Sequence, residues 1–145
     1  MALVGALLGC GDDERFLSLK ELCPERAVDI CEARMSGCCP GAQVDPAACE
    51  TEERVRCQAE VEAFVAESGL SYDAARAARQ RAAVRDALDA CDPVPTLAQF
   101  FEHGAPLGTP CERDVQCGSG HCEALARTCA EPVVVPLCAP LAPTL

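Results

Sequence analysis

Cysteine is the feature of this sequence that most restricts how it can fold. The chain has 145 residues, of which 13 are cysteine, a fraction typical of small proteins held together by disulfides. It has no Trp, one Tyr and four Phe, so its core has to be built mainly from Ala, Val, Leu and half-cystines. Such side chains bury little apolar area, and each Å² buried contributes only about 25 cal/mol to stability. We therefore expect disulfides to contribute more to stability than packing does.

The cysteine spacings argue against a metal site and against a dithiol motif. The sequence contains no Cys-x-x-Cys, the spacing that zinc sites and thioredoxin-like motifs use. Only His103 and His121 offer an imidazole. We therefore expect no metal and no other cofactor. An oxidised framework outside the cytoplasm is favoured instead, because the twelve cysteines that follow Cys10 form an even set of up to six disulfides.

The amino-terminal residues are apolar up to a cysteine. Residues 2–9 carry no charge, and the sequence becomes polar directly after Cys10. The stretch Leu7-Leu8-Gly9-Cys10 resembles the end of a bacterial lipoprotein signal, in which the cysteine thiol receives a diacylglycerol. The resemblance implies that residues 1–9 are a signal remnant, that Cys10 is the lipidation site and that residues 10–22 are a tether. The alternative is a short apolar strand or helix inside a soluble protein.

Three helices are predicted between residues 23 and 104, where apolar residues recur at helical spacing. Their predicted limits are 24–37 with Pro24 in the first position, 45–69 with Asp45 as the cap, and 71–91 with Ser71 as the cap. A shorter amphipathic segment is predicted over 96–103, with His103 at its carboxyl end. The fold class that follows is mainly α: a small antiparallel helical hairpin or three-helix domain, stapled by disulfides.

Helix geometry limits how these cysteines can pair. Bridged α-carbons lie about 4.4 to 6.8 Å apart, whereas two cysteines seven or eight residues apart on one helix are separated by about 10 to 12 Å. The first two helices each carry such a pair, so in an antiparallel hairpin the near-equal spacings align as two rungs of a ladder. With the third helix returning along the second, the predicted bonds are Cys38–Cys49, Cys31–Cys57, Cys39–Cys91 and, as the remainder, Cys23–Cys138.

Residues 105–145 have a different composition and are predicted to be an irregular Cys-rich module with a Pro-rich tail. Their spacing is similar to that of secreted Cys-rich modules written G-x-x-C-x-x-D-x-x-C-x-x-G-x-C, related to the amino-terminal Cys-rich region of Dickkopf proteins. The matching residues are Gly108, Cys111, Asp114, Cys117, Gly120 and Cys122. Of the three connectivities open to four cysteines, we prefer Cys111–Cys122 with Cys117–Cys129. The tail either packs across the module or presents a docking strand.

A wider pattern covers most of residues 23–130. It consists of Cys-x6-Cys-Cys, a later cysteine, the segment Ser71-Tyr72-Asp73-Ala74-Ala75-Arg76, Cys91, the segment Ala98-Gln99-Phe100-Phe101 and the Cys-rich module. Together these resemble uncharacterised Cys-rich lipoproteins of myxobacterial type. The resemblance implies an envelope or surface location and brings no activity with it.

Charge narrows the range of partners. The formal net charge is −11 at pH 7, which makes nucleic acid an unsuitable partner because nucleic-acid binding requires a basic surface. The second predicted helix is acidic and the third is rich in arginine, which indicates solvated faces and attraction between the two helices. An acidic face that binds a cation or a protein is the alternative. The residues concerned are Asp45, Glu50, Glu52, Glu53, Glu60, Glu62 and Glu67, and Arg76, Arg79, Arg81 and Arg85.

Catalytic groups are not apparent. Ser119 and His121 flank Gly120 in a turn, but no strand-to-helix nucleophile elbow surrounds them. We therefore expect no catalytic residues. The sequence predicts an extracytoplasmic lipoprotein, anchored at the outer membrane or cell surface, that acts as a structural module or binds an envelope protein. A secreted inhibitor or toxin-like effector is the alternative, and a redox-sensing lipoprotein with one labile bridge is a third interpretation.

Overall fold

Three helices carry most of the regular backbone in the computed structural model, which describes residues 16–138. They are α1 (Leu19–Ala33), α2 (Pro46–Ala66) and α3 (Ala74–Asp89). Two-residue strands form two antiparallel pairs, β1 (Ser71–Tyr72) with β2 (Phe101–Glu102) and β3 (Cys122–Glu123) with β4 (Thr128–Cys129). The prediction of a mainly α, disulfide-stapled fold is confirmed. The predicted signal over 1–9 and the lipidation site Cys10 lie outside the described residues.

Helix α1 begins earlier than the sequence analysis predicts. Ser18 and Glu21 form a capping box: the Ser18 hydroxyl accepts a hydrogen bond from the Glu21 amide at 3.3 Å, and the Glu21 carboxylate accepts one from the Ser18 amide at 3.1 Å. Pro24 therefore lies inside the helix and not at its first position. A proline here lacks the N–H that would bond to the preceding turn. The capping box nevertheless starts the helix ahead of this proline.

The segment that leads into α1 is part of the core, which corrects the predicted tether over 10–22 for the residues that the structure describes. Leu17 and Leu22 are both buried. The Leu17 amide donates to the Ala74 carbonyl at 3.0 Å, and the Leu17 carbonyl accepts from the Tyr72 hydroxyl at 2.8 Å. Apolar contacts and backbone hydrogen bonds thus hold the chain against α3 before α1 begins.

Aspartate side chains start the other two helices. Asp45 caps α2 as predicted, and its carboxylate accepts a hydrogen bond from a first-turn amide at 2.8 Å. The cap of α3 is Asp73, whose carboxylate accepts from the Arg76 amide at 2.6 Å. The predicted cap Ser71 is wrong, because that residue pairs with Glu102 between β1 and β2.

The core lies where the helices meet the segment that follows α3. Phe64 of α2 stacks on Phe101 with ring centroids 4.9 Å apart, and Tyr72 meets the same ring edge-on at 5.6 Å. Phe100 and Val84 are each 1% exposed. Four aromatic side chains therefore close a core that otherwise consists of small aliphatic residues and half-cystines.

The predicted amphipathic segment over 96–103 splits into two elements. Leu97–Phe100 forms a 3-10 helix, and the chain then enters β2. His103 follows the strand with a φ of +68°, so the interpretation of His103 as the end of a helix is wrong. The extended pairing of β2 with β1 places the Phe101 ring between those of Phe64 and Tyr72.

Two disulfides join α1 to α2 as a ladder, but each cysteine of α2 is bonded to the α1 cysteine that precedes the predicted one in the sequence. The bonds are Cys31–Cys49 and Cys23–Cys57, so the predicted Cys38–Cys49 and Cys31–Cys57 are wrong. The early start of α1 places Cys23 on the helix, eight residues before Cys31, and this spacing equals that between Cys49 and Cys57. Equal spacings let both rungs close with α-carbons 5.5 and 6.0 Å apart.

The two cysteines after α1 bond elsewhere because the chain turns away from α2. Arg34–Cys38 forms a wide helical turn in which Gly37 has a φ of +109°. Cys38 then reaches Cys91 at the end of α3, and Cys39 reaches Cys138 in the tail. The predicted Cys39–Cys91 and Cys23–Cys138 bonds are therefore wrong, the first by one residue and the second because Cys23 belongs to the ladder.

The Cys-rich module is joined to the helical part by a close backbone approach. The Ala105 amide donates to the Gln116 carbonyl at 2.8 Å, and the Gly118 amide donates to the Ala105 carbonyl at 2.9 Å. A Cβ on Gly104 would lie 2.5 Å from the Gly118 α-carbon, which no side chain allows. The Arg113 guanidinium also meets the Glu67 carboxylate at 2.6 Å. Backbone contact at the two glycines sets the position of the module.

The tail does not stay with the module, which corrects the prediction of 105–145 as one unit. The Ala130 amide still donates to the His121 carbonyl at 3.0 Å. Beyond this point the chain runs back to the helical part, where Leu137 is buried in the main core and Cys138 bonds to Cys39. The module therefore lies between two segments of chain that both end in the helical core.

Alanine at Gly104 should loosen this junction. We expect Gly104→Ala to lower the free energy of unfolding by about 1–3 kcal/mol, as overpacking does, because its Cβ overlaps backbone atoms that cannot move aside. Gly118→Ala is the matched control, since its Cβ would have no neighbour closer than 3.4 Å. Guanidinium denaturation of the two oxidised variants, followed by circular dichroism, measures the difference. Equal losses would show that the approach is not a constraint.

Tyr72 reports on the docking of the segment before α1. Burial, with help from the charges of Glu21 and Asp73, raises the pKa of Tyr72 from 10.0 to about 12. Because the folded pKa is raised, the stabilisation is complete below pH 10 and is lost as the pH rises towards 12. Tyr72 is the sole tyrosine, so phenolate absorbance at 295 nm titrates it alone. A folded-state midpoint near 10 would contradict burial of the phenol beneath this segment.

Candidate functional site

The Cys-rich module presents a rigid hairpin. Cys122 and Cys129 face each other across β3 and β4, and each is bonded to a different cysteine, Cys111 and Cys117 respectively. These are the two bonds that the sequence analysis prefers. Both strands of the hairpin are therefore tied to the earlier loop of the module, which removes conformational freedom from the turn between them.

The turn over 124–127 is closed by hydrogen bonds from its own backbone. The Arg127 amide donates to the Glu123 carbonyl at 2.8 Å, and the Ala126 amide donates to the Glu123 carboxylate. Backbone hydrogen bonds from Ala126 and Leu125 lower the pKa of Glu123. Leu125 stands at the tip and is 95% exposed. The hairpin thus displays one large apolar side chain on a turn whose backbone is already hydrogen-bonded.

Polar residues of the module motif have structural roles. The Asp114 carboxylate accepts a hydrogen bond from the Cys122 amide at 2.7 Å and so fixes the start of β3. The Gln116 side chain accepts from the amides of Glu112 and Arg113 at 2.7 and 3.2 Å. The Asp of the motif is therefore a brace between the loop and the hairpin. The spacing in the sequence locates it, but its hydrogen-bond partner follows only from the structure.

The module brings sulfur atoms together without offering free thiolates. The Sγ atoms of Cys111, Cys117 and Cys122 lie within 4.8 Å of one another, and those of Cys111 and Cys122 are bonded to each other. All three are consumed by disulfides, and a metal ligand has to be a deprotonated thiolate. In the oxidised protein this cluster is therefore a disulfide knot.

Ser119 and His121 are close in the structure but do not form a nucleophile and base. The Ser119 hydroxyl accepts a hydrogen bond from the His121 amide at 3.3 Å and donates to the His121 carbonyl at 3.5 Å. Its partners are therefore backbone atoms and not the imidazole. Nucleophilic catalysis would need the base side chain within reach of the hydroxyl, so the contacts are those of a turn.

The ion pairs of Arg81 connect α3 to α1, whereas the predicted attraction is between the second and third helices. Arg81 of α3 holds both oxygens of Asp29, at 2.8 and 3.1 Å, and meets Glu25 at 2.6 Å. The side-chain hydrogen bonds with Asp29 raise the pKa of Arg81. Asp29 is buried, and this bidentate partner places a positive charge directly beside its carboxylate.

A second buried charge lies between α1 and α2. Glu53 of α2 is buried and meets Arg34 at 3.0 Å. The Arg34 Nε also donates to the Leu137 carbonyl at 2.9 Å. One guanidinium therefore neutralises a buried carboxylate and holds the returning tail, so the acidic face of α2 contributes one of its members to the interior.

An acidic groove separates the carboxyl ends of α1 and α3. Its volume is about 790 Å³, and the Cys38–Cys91 bond lies along one side. Its charged lining comprises Asp29, Glu32, Asp86, Asp89 and Arg85. Carboxylates at helix carboxyl ends face the negative end of the helix dipole, so the groove concentrates negative potential on one side of the molecule.

The tail spans a gap on the opposite side of α1. Val133, Val134 and Val135 are each more than half exposed, and a cavity of about 230 Å³ lies between the tail, α1 and α2. In the described part of the chain, residues 131–136 make no backbone hydrogen bond. Residues 131–138 therefore form an extended strap with apolar side chains, which packs on the helical part and not across the module as one predicted alternative has it.

Comparisons with protein-family models, with curated proteins and with solved structures find no match to this chain. Between residues 16 and 138, no helix combines the length and the apolar character that crossing a bilayer requires. The functional interpretation therefore depends on the disulfides, the displayed hairpin, the acidic groove and the strap.

Replacing Asp29 tests whether the buried pair holds α3 in place. We expect Asp29→Asn to lower the free energy of unfolding by about 2–4 kcal/mol, since it weakens the charge partner of Arg81 inside the protein. Glu25→Gln is the matched control: its carboxylate meets the same guanidinium but is 43% exposed, against 5% for Asp29, so its loss should be about 0–1 kcal/mol. Denaturation of the oxidised variants at pH 7 measures both. A smaller loss for Asp29→Asn than for Glu25→Gln would refute this role.

Proposed function

We propose that this protein is a non-catalytic, disulfide-stabilised binding module of the cell envelope, held at an extracytoplasmic membrane surface by a lipid on Cys10. The observation that carries the proposal is the cysteine pairing. All twelve cysteines from Cys23 to Cys138 are joined in six disulfides, and the sequence has thirteen. Six disulfides favour an oxidising compartment, and the one cysteine left over is the residue that the lipoprotein resemblance modifies.

Rigidity favours binding as the task of the module. A surface that is already fixed in its bound shape loses little conformational entropy when a partner docks. The hairpin of the module meets this condition, because two disulfides and the Asp114 brace hold it. An exposed apolar side chain such as Leu125 gains about 25 cal/mol for each Å² of its surface that a partner buries. The partner that fits is a protein with an apolar pocket for this side chain.

Charge adds a second property of the partner. The chain has a formal net charge of −11, and the acidic groove concentrates part of it beside Asp86 and Asp89. Complementary charge increases association rates and disfavours like-charged partners. A basic protein surface at the envelope therefore fits better than an anionic polymer does.

A secreted inhibitor or toxin-like effector is the second candidate function, and the displayed Leu125 is the observation that favours it. Rigid hairpins on disulfide scaffolds present recognition residues in the same way whether or not the chain is anchored. The turn of this hairpin is closed by its own hydrogen bonds, so it would fill a pocket and would not add a strand to a target. Anchoring by lipid separates the two candidates.

The intact mass of the protein from its native host tests the proposal. We expect a chain that begins at Cys10, is heavier by a lipid, and exposes twelve alkylatable thiols only after reduction. Cys10→Ser is the matched variant: it keeps every disulfide and should leave the membrane fraction, because one acyl-bearing residue is the anchor. Release into the medium without lipid would favour the secreted effector. A chain that retains residues 1–9 and carries free thiols would overturn both.

A further inference from the structure

The four disulfides of the helical part fall into two groups by exposure. In the ladder, Cys23, Cys31, Cys49 and Cys57 are each no more than 5% exposed. The two bonds that leave the turn after α1 differ, because each joins a less accessible cysteine to an exposed one, Cys91 or Cys138. Thiol–disulfide exchange requires a thiolate to reach a sulfur atom. A reductant in solution therefore reaches these two bonds without unfolding α1 or α2.

The Cys39–Cys138 bond is the main restraint on the strap. Cys138 is exposed while Cys39 is 7% exposed, so an incoming thiolate meets the Cys138 sulfur and Cys39 is the leaving group. Apart from this bond, the carboxyl end of the strap is held by the buried Leu137 side chain, by one hydrogen bond from Arg34 at 2.9 Å, and by contact of the Cys138 Sγ with the Cys38 carbonyl oxygen at 3.1 Å. Once the bond is cleaved, little keeps the two cysteines together.

The Cys38–Cys91 bond is exposed as well, but its cysteines stay in place after cleavage. The Cys91 amide donates to the Leu88 carbonyl at 3.0 Å, and the Asp92 amide donates to the Ala87 carbonyl at 2.8 Å. These hydrogen bonds form the carboxyl cap of α3 and keep Cys91 opposite Cys38. A high effective concentration of one thiol near the other favours closure of the bond. Reduction at this position is therefore readily reversed.

We propose that Cys39–Cys138 is a thiol–disulfide exchange site, opened by a dithiol reductant of the extracytoplasmic compartment. A thiolate of the reductant attacks the Cys138 sulfur, forms a mixed disulfide and expels the Cys39 thiolate, which takes up a proton. The second thiol of the reductant then attacks the first sulfur of the reductant, which is bonded to Cys138 in the mixed disulfide. This step expels the Cys138 thiolate, which also takes up a proton. The protein gains two electrons and two protons, and the dithiol becomes a disulfide.

Opening this bond exposes a new surface. Leu137 leaves the core, Arg34 loses a carbonyl acceptor, and the cavity under the strap opens toward Ile30 and Leu97. Apolar surface beside arginine side chains then becomes available to a protein partner. The inference rests on the proposed function in one respect, because this bond forms and persists in the cell only where the protein lies in an oxidising compartment outside the cytoplasm.

The order in which the disulfides open tests the proposal. The purified, fully oxidised chain is equilibrated with increasing dithiothreitol, quenched in acid, alkylated and mapped by mass spectrometry. We expect Cys39 and Cys138 to be labelled at about one tenth of the dithiothreitol that the ladder requires, since buried bonds open only after local unfolding. Earlier opening of Cys38–Cys91, or opening of all six bonds together, would overturn the proposal.

A matched pair of variants tests the consequence of cleavage. Cys39→Ser with Cys138→Ser mimics the opened site, and Cys38→Ser with Cys91→Ser removes the neighbouring bond while the strap stays tied. We expect fluorescence of 1-anilinonaphthalene-8-sulfonate to rise with the first pair and to stay at the wild-type level with the second. Equal fluorescence for the two pairs would contradict release of the strap.

These measurements use purified protein, so they are independent of the proposed anchoring. A lipid-modified protein whose ladder opens first would refute the exchange site and leave the proposed function standing. An unmodified cytoplasmic protein whose strap opens first would refute the anchoring and leave the chemistry of the bond intact.

Discussion

The two-rung disulfide ladder between α1 and α2 is the constraint on which the other contacts depend. Cys23–Cys57 and Cys31–Cys49 close loops of 34 and 18 residues, which in the chain-entropy model are worth about 3 to 4 kcal/mol each. Two bonds at the same spacing on both helices also set their axial register, since neither helix can slide without breaking one of them. With the register set, Glu53 meets Arg34 and Phe64 reaches the ring of Phe101.

The remaining parts attach to this pair of helices through different kinds of interaction. Helix α3 is held by the buried Asp29–Arg81 pair and by Cys38–Cys91. The module is positioned by the approach of Gly104 to Gly118, and the strap by Leu137 and Cys39–Cys138. Because the apolar side chains are small and few, covalent bonds and buried ion pairs hold the elements together, as large aliphatic cores do in other domains.

This division has a consequence for how the molecule can act. The ladder and the module knot hold rigid surfaces, which suits recognition by preorganised contacts. The strap is extended, lacks backbone hydrogen bonds over 131–136 and is tied by a bond from an exposed cysteine. Rigid display and a releasable segment therefore coexist in one chain, and they are coupled through Arg34, which serves both the buried Glu53 and the strap.

The sequence by itself determined the features that depend on local chemistry. Cysteine content predicted the disulfide framework, Asp45 predicted the start of α2, and the compact spacing of the module predicted Cys111–Cys122 with Cys117–Cys129, whereas α2 ends at Ala66, before the predicted Gly69. In each case the partners are close along the chain, so spacing and capping restrict the geometry directly. The capping box of Ser18 and Glu21 was also readable, and it would have placed Cys23 on α1.

Only the tertiary structure decided the pairings between distant segments. The bonds of Cys38 and Cys39 depend on how the chain turns at Gly37. A shift of one residue in this turn would exchange the directions in which the two cysteine side chains point. The partner of Arg81 depends on α3 packing against α1, and the return of Leu137 to the core depends on the path of the whole module. Such contacts are fixed by the mutual packing of elements far apart in sequence, where no local spacing distinguishes one arrangement from the next.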